Sequence, residues 1–152
     1  MRKLLSISVL LLGLSGALLV AQEAFEFDGN CWGTFEWANF EREMKKILPD
    51  RRIVDVPHSH AIFHVFYDSD KPMQVPNIGY AYNPGTPTWE QDGYEPYVRG
   101  IFDDGGRLLV FINHNTDLMD ASEWADDPLY PQKFAAYSYK IFSNAVVYAL
   151  SH

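Results

Sequence analysis

Cysteine is nearly absent from this chain, and basic residues are scarce: one Cys, at position 31, and 12 Lys and Arg against 20 Asp and Glu. A single cysteine excludes an intrachain disulfide framework and a cysteine-based zinc site. The shortage of cations, with a formal net charge of −8, excludes a broad phosphate-neutralising face and so a general nucleic-acid binder. Internal repeats and low-complexity stretches are also missing. What is present can build a core, since 47% of residues are hydrophobic and 15% aromatic, which excludes wholesale disorder and a collagen-like chain. With 152 residues, the usual ~100–200 per domain gives one domain.

Arg2 and Lys3 precede an apolar run, residues 4–20, interrupted only by small residues such as Ser6, Gly13 and Gly16. A short basic start before such a run reads as a secretory signal peptide cut after Ala21, leaving Gln22 first. The run is short beside the ~20 residues of a spanning helix, and a retained N-terminal anchor is the alternative. No later run is long enough to span a bilayer. The expected organisation is a signal at 1–21 and a single domain at 22–152, secreted or periplasmic, with membrane contact only through an uncleaved signal.

Residues 24–28 alternate as a strand does, and 29–33 form a tight turn with glycine at both ends. Phe35, Trp37, Phe40, Met44, Ile47 and Leu48 then recur at helical spacing, with Glu and Lys between them. This predicts an amphipathic helix capped by Thr34 and stopped at Pro49. A second strand is expected at 53–56 and an extended piece at 62–67. Residues 72–97, rich in Pro, Gly and Tyr, read as one long loop, which in a compact domain is functional or disordered; their aromatics argue against disorder. Residues 107–113 are apolar on both faces and so predict a central strand of a parallel sheet. An acidic irregular stretch, 117–131, leads into a closing helix whose stripe includes Phe134, Tyr137, Ile141, Ala145 and Tyr148. Strand, helix, strand, strand and helix spell an α/β layered domain.

Six segments carry a family resemblance: Trp32-Gly-Thr-Phe-Glu-Trp-Ala-Asn-Phe-Glu-Arg-Glu-Met, Pro49-Asp-Arg-Arg, His60-Ala-Ile-Phe-His, Arg99-Gly-Ile-Phe-Asp-Asp-Gly-Gly-Arg, Asn113-His-Asn-Thr-Asp and Glu123-Trp-Ala-Asp-Asp-Pro-Leu-Tyr-Pro. In this order they resemble the bacterial domain-of-unknown-function family 4159 over residues 25–152. The resemblance implies a class I glutamine amidotransferase-like α/β fold with a flavodoxin-like, largely parallel sheet, and no assigned activity. It also implies that this chain lacks the family's N-terminal half. That would leave an exposed sheet edge open to a partner chain or to self-association.

Four constellations offer chemistry. Gly29-Asn30-Cys31-Trp32-Gly33, between a strand and a helix, is similar to the Gly-x-Cys-x-Gly nucleophile elbow of class I amidotransferases, where a helix N-terminus favours a thiolate. The base partner would be His114, because the amidotransferase His-x-Glu pattern is missing; the plainer reading is a buried small hydrophobe. His58, His60 and His64, with His114 and Asp103, Asp104 or Asp117, offer divalent-metal ligands, His60, His64 and Asp117 first among them. The plainer reading packs His64 in the core and makes His60 a turn cap. Asp117, Asp120, Glu123, Asp126 and Asp127 do not match a calcium loop and read as acids that cap turns and the start of the last helix. Tyr80, Tyr82, Trp89, Tyr94 and Tyr97 offer flat rings to a sugar or a proline-rich peptide, or simply cover the sheet. Arg99 and Arg107 are expected to pair with Asp103 or Asp104.

The reading that follows is an exported, non-catalytic binding or interaction domain of the cell envelope. Its ligand residues are Asn113, Asn115, Asp117, Glu123, Trp89 and Tyr94, its partner is an envelope protein or glycan, and it needs no cofactor. A cysteine amidase-type hydrolase using Cys31 and His114 is the alternative, and a metal-dependent hydrolase a weaker one.

Overall fold

The computed structural model describes residues 9–10, 19–21, 34–69 and 71–152. The expected strand at 24–28, the glycine turn and Cys31 lie outside the described residues. In chain order the elements are β1 (Val9–Leu10), β2 (Leu19–Ala21), α1 (Thr34–Ile47), β3 (Val54–Asp55), a 3-10 turn (Ala61–Phe63), α2 (Gly79–Tyr82), β4 (Tyr97–Phe102), β5 (Leu108–His114), α3 (Leu118–Glu123) and α4 (Gln132–Ser151). None of the described helices is long and apolar enough to cross a membrane.

The strands form one sheet in the order β1-β2-β5-β4-β3. Helices and strands are mixed, as an α/β domain requires, but the sheet is not largely parallel. The pairs β1–β2, β3–β4 and β4–β5 are antiparallel, and only β2 runs parallel to β5. The physical reason is a tight hairpin. Asp103 Oδ1 accepts from the backbone N–H groups of Gly105 (2.9 Å) and Arg107 (2.8 Å), and Gly106 takes φ +81°, where a side chain would be strained. So short a connection returns the chain antiparallel.

β5 serves two cores, alternating from Val110 onward, past an irregularity in its pairing with β4 between Ile101 and Phe102. Leu108 and Phe111 face the larger one, built by the 3-10 turn, α3 and α4, which bury Ile62, Phe63, Leu118, Phe134, Tyr137, Ile141 and Tyr148. Val110 and Ile112 face the smaller one, where Phe40 and Met44 of α1 close over Ile101. Fully burying an apolar side chain of this size contributes ~1.5–3 kcal/mol, so the α4 side dominates stability.

α1 and α4 follow the sequence pattern. Thr34 is already helical and its backbone N–H donates to Asp92 Oδ1 at 3.1 Å, with its hydroxyl on Asp92 Oδ2, so the long loop supplies this helix's N-terminal acceptor. α4 starts behind Pro131 without a side-chain cap, so no acid caps the final helix. Residues 62–67 are not extended: Ala61–Phe63 is a 3-10 turn whose cap, His60, accepts from Ile62 N–H through Nδ1. The turn-cap reading of His60 is therefore met.

Candidate functional site

The carboxyl end of β5 carries polar residues on both faces of the sheet. By alternation Asn113 shares the side of Phe111, and His114 that of Ile112. Asn113 is 1% exposed, and its Nδ2 has no hydrogen-bond partner among the described residues. Asn115 follows with φ +58°, a left-handed backbone that Asn tolerates better than most residues. Its Nδ2 donates to Glu95 O at 2.8 Å, while its buried Oδ1 has no partner among the described residues.

Gln74, which the sequence pattern did not single out, joins Asn115. Its Nε2 donates to Asn115 O at 2.6 Å and to Thr88 O at 3.3 Å, and its buried Oε1 has no partner among the described residues. The segment carrying Gln74 is fastened alongside 115–117: Thr116 Oγ1 accepts from Val75 N–H at 3.0 Å and donates to Met73 O at 2.7 Å, and Asp117 N–H donates to Val75 O at 2.9 Å. One buried amide donor and two buried amide acceptors thus belong to residues at or fastened to this strand end. Trp89 and Tyr94 lie on the loop tied down through Thr88 O and Glu95 O. They are 39% and 61% exposed and meet edge to face with centroids 5.6 Å apart.

On the α1 side the site is charged and aromatic. The His114 ring stacks on Trp37 of α1 at 4.2 Å and 10°. Arg99 donates to His114 Nδ1 at 2.7 Å, and its Nε pairs with Asp55 Oδ1 at 3.0 Å. The guanidinium carbon lies 4.6 Å from the Trp37 centroid and 4.7 Å from that of Tyr97. A guanidinium only donates, so Nδ1 is the acceptor and the neutral ring carries its proton on Nε2. Burial first, then the Arg99 charge, push the His114 pKa down to about 4, opposed by Asp55.

The other residues singled out from the sequence are placed elsewhere. Arg99 does not pair with Asp103 or Asp104: Asp103 turns the hairpin, and Asp104 binds Arg51 at 2.6 and 3.1 Å. Asp117 caps α3, accepting from Asp120 N–H at 3.3 Å, while Asp120 Oδ2 accepts from Ile78 N–H at 2.7 Å. Asp127 holds the Tyr82 hydroxyl at 2.7 Å and Leu129 N–H at 2.8 Å. Glu123 stands exposed at the end of α3 and makes none of these bonds. Tyr80 packs against the larger core.

The histidine cluster knits a loop. His58 Nε2 donates to Ser69 O at 2.6 Å, and His64 Nε2 donates to His58 O at 2.8 Å. His64 Nδ1 meets Asp68 at 3.0 Å, and this carboxylate holds its pKa above the usual imidazole value. His64 is half-exposed rather than packed in the core, with its two ring nitrogens held by Asp68 and His58 O. His60 is held below the usual value by burial, then by His152. Among the described residues, no three His, Cys, Asp or Glu come together as a metal site, so His60, His64 and Asp117 are not assembled. A groove of about 280 Å³ opens at the far end of α1, lined by Lys45, Leu48 and Arg52, and none of the candidate catalytic, ligand or metal residues borders it.

The geometry was visible in part. Asn113, Asn115 and His114 follow the strongest strand signal in the chain. Gln74, Trp37 and, through Arg99, Asp55 join them across long stretches of sequence; Trp37 was marked only as part of a helix stripe, and no local pattern marks the other two.

The chain belongs to the DUF4159 family, a domain of unknown function, whose model matches residues 13–150. Neither a curated protein nor a solved structure matches it.

Proposed function

We propose that this member of the DUF4159 family is a non-catalytic binding domain whose ligand, of the glycan class, seats at the carboxyl end of β5. The observation that carries the reading is the set of three buried amide atoms, Asn113 Nδ2, Asn115 Oδ1 and Gln74 Oε1, with no partner among the described residues. More than roughly nine in ten buried polar atoms in folded proteins are paired, and each orphan costs ~1–3 kcal/mol. A ligand that brings both hydroxyl donors and acceptors would relieve that cost. Trp89 and Tyr94, on the loop bound to the same amides, add flat apolar faces. Rings for the C–H faces and amides for the hydroxyls are the chemistry that sugar recognition uses.

The competing reading, an amidotransferase-like cysteine hydrolase, needs His114 to take a proton from Cys31. Arg99 fills the basic nitrogen of His114, and the depressed pKa makes it a weak base, which supports binding over hydrolysis. Titration with chitotriose, followed by tryptophan fluorescence and calorimetry, tests the binding reading. Saturable binding weakened about fivefold by Trp89→Ala is expected, as stacking on an aromatic ring is worth ~1 kcal/mol. No binding, or binding indifferent to Trp89, overturns it.

A further inference from the structure

We infer that residues 19–21 are a permanent strand of the folded domain, and that the apolar run that reads as a secretory leader is kept rather than removed after Ala21. The inference is independent of the ligand reading.

It starts from β5. Val110, Phe111 and Ile112 are each at most 1% exposed, although they alternate between the two faces of the sheet. A strand sealed on both faces is an interior strand and needs a neighbour on each edge, because an open edge leaves its N–H and C=O groups as a template for other chains. β4 fills one edge. The other is filled by β2, parallel and in register, with Leu19 beside Val110, Val20 beside Phe111 and Ala21 beside Ile112. A cut after Ala21 removes all three partners and turns β5, buried on both faces, into an open edge.

A second observation is independent of that pairing. The family match begins at residue 13, well inside the run, so the stretch up to Ala21 is shared as part of the domain itself. A discarded leader has no reason to be part of a domain that a family model describes. The two readings share one composition for a physical reason. An interior strand need not show the polar alternation that marks strands, and a short apolar run such as Leu-Val-Ala then looks like the core of a leader.

The test uses the full chain produced in a bacterial host with a working export pathway. Intact mass should show residues 1–21 still attached. Hydrogen exchange on the same material should show the amides of 19–21 protected like those of 108–114, at least about a hundredfold slower than an open chain. A product beginning at Gln22 overturns the inference. So does a retained segment whose amides exchange at open-chain rates, because β2 would then not be part of the fold.

Discussion

On the α4 side of the sheet, buried polar side chains reach for main chain. Tyr148 OH accepts from Leu108 N–H at 3.1 Å and Tyr137 OH from Met73 N–H at 3.2 Å, while Tyr130 OH donates to Pro76 O at 2.6 Å and Ser138 to Leu118 O at 2.6 Å. On the α1 side, side chains reach for each other: Asp55 to Arg99, Arg99 to His114, and His114 onto Trp37. The first pattern fastens loops and strands to a helix and has no dependence on pH in the neutral range. The second holds a titratable ring between a cation and an indole. The α4 face is fastened to main chain, and the α1 face holds the histidine whose pKa is pushed furthest from its ordinary value.

The largest expected effect tests the fastening role. Asn144, fully buried on α4, accepts from Tyr67 N–H at 2.7 Å and donates to Tyr67 O at 2.8 Å, closing the loop that carries the three clustered histidines. Asn144→Ala removes both bonds and strands two backbone groups, at a cost of about 2–3 kcal/mol in urea unfolding. A loss under about 0.5 kcal/mol would mean that the α4 ties do not carry stability, and the contrast would fail.

The next effect tests the charge-sensitive face. The folded pKa of His114, about 4, lies below its ordinary 6.5, so falling pH protonates the unfolded chain first. Its contribution is therefore complete above pH 6.5 and is lost as pH falls through the folded value near 4. The ceiling is roughly 3 kcal/mol for a shift of this size. His114→Gln keeps an acceptor for Arg99 but does not titrate, so its stability should fall less between pH 6.5 and 4, with chemical denaturation as the measurement. His64 has the opposite sign. Its raised value adds stability below the ordinary pKa that is lost as pH rises through the folded one, and its exposure to water keeps that slope shallow. A wild-type curve as flat as that of the variant would remove the distinction between the faces.

The elements legible in the sequence were those with a long apolar period. α1, α4 and β5 fall where Trp37, Phe40 and Met44, the stripe from Phe134 to Tyr148, and the run at 107–113 put them. β4 was missed because Gly100 and Arg99 interrupt its pattern. The glycine is required, since a Cβ there would approach Val110 O to 2.8 Å, and Arg99 is the residue that holds His114. Sheet direction was misread because a strand buried on both faces suggests parallel neighbours, while the Asp103 hairpin that decides the matter is a matter of turn chemistry. Of the site, Asn113, His114 and Asn115 were legible as residues beyond a central strand. Their partners were not, because Gln74, Asp55 and Trp37 arrive from segments 15 or more positions away, where contacts leave no local period.

The smallest effect is also the cleanest, since the same substitution is made on both faces. Tyr130 is buried in the α4 core with its hydroxyl on Pro76 O, and burial, then the nearby Asp117 and Asp120, hold its pKa well above the ordinary phenol value. Tyr130→Phe leaves the ring in place and strands a buried carbonyl, so it should cost about 1 kcal/mol. Tyr97 lies on the other face with its ring under Arg99, and its hydroxyl has no partner among the described residues. Tyr97→Phe keeps that ring and should change stability by less than about 0.5 kcal/mol. Equal losses at the two positions would show that the hydroxyls of the α4 face are no more structural than those of its opposite.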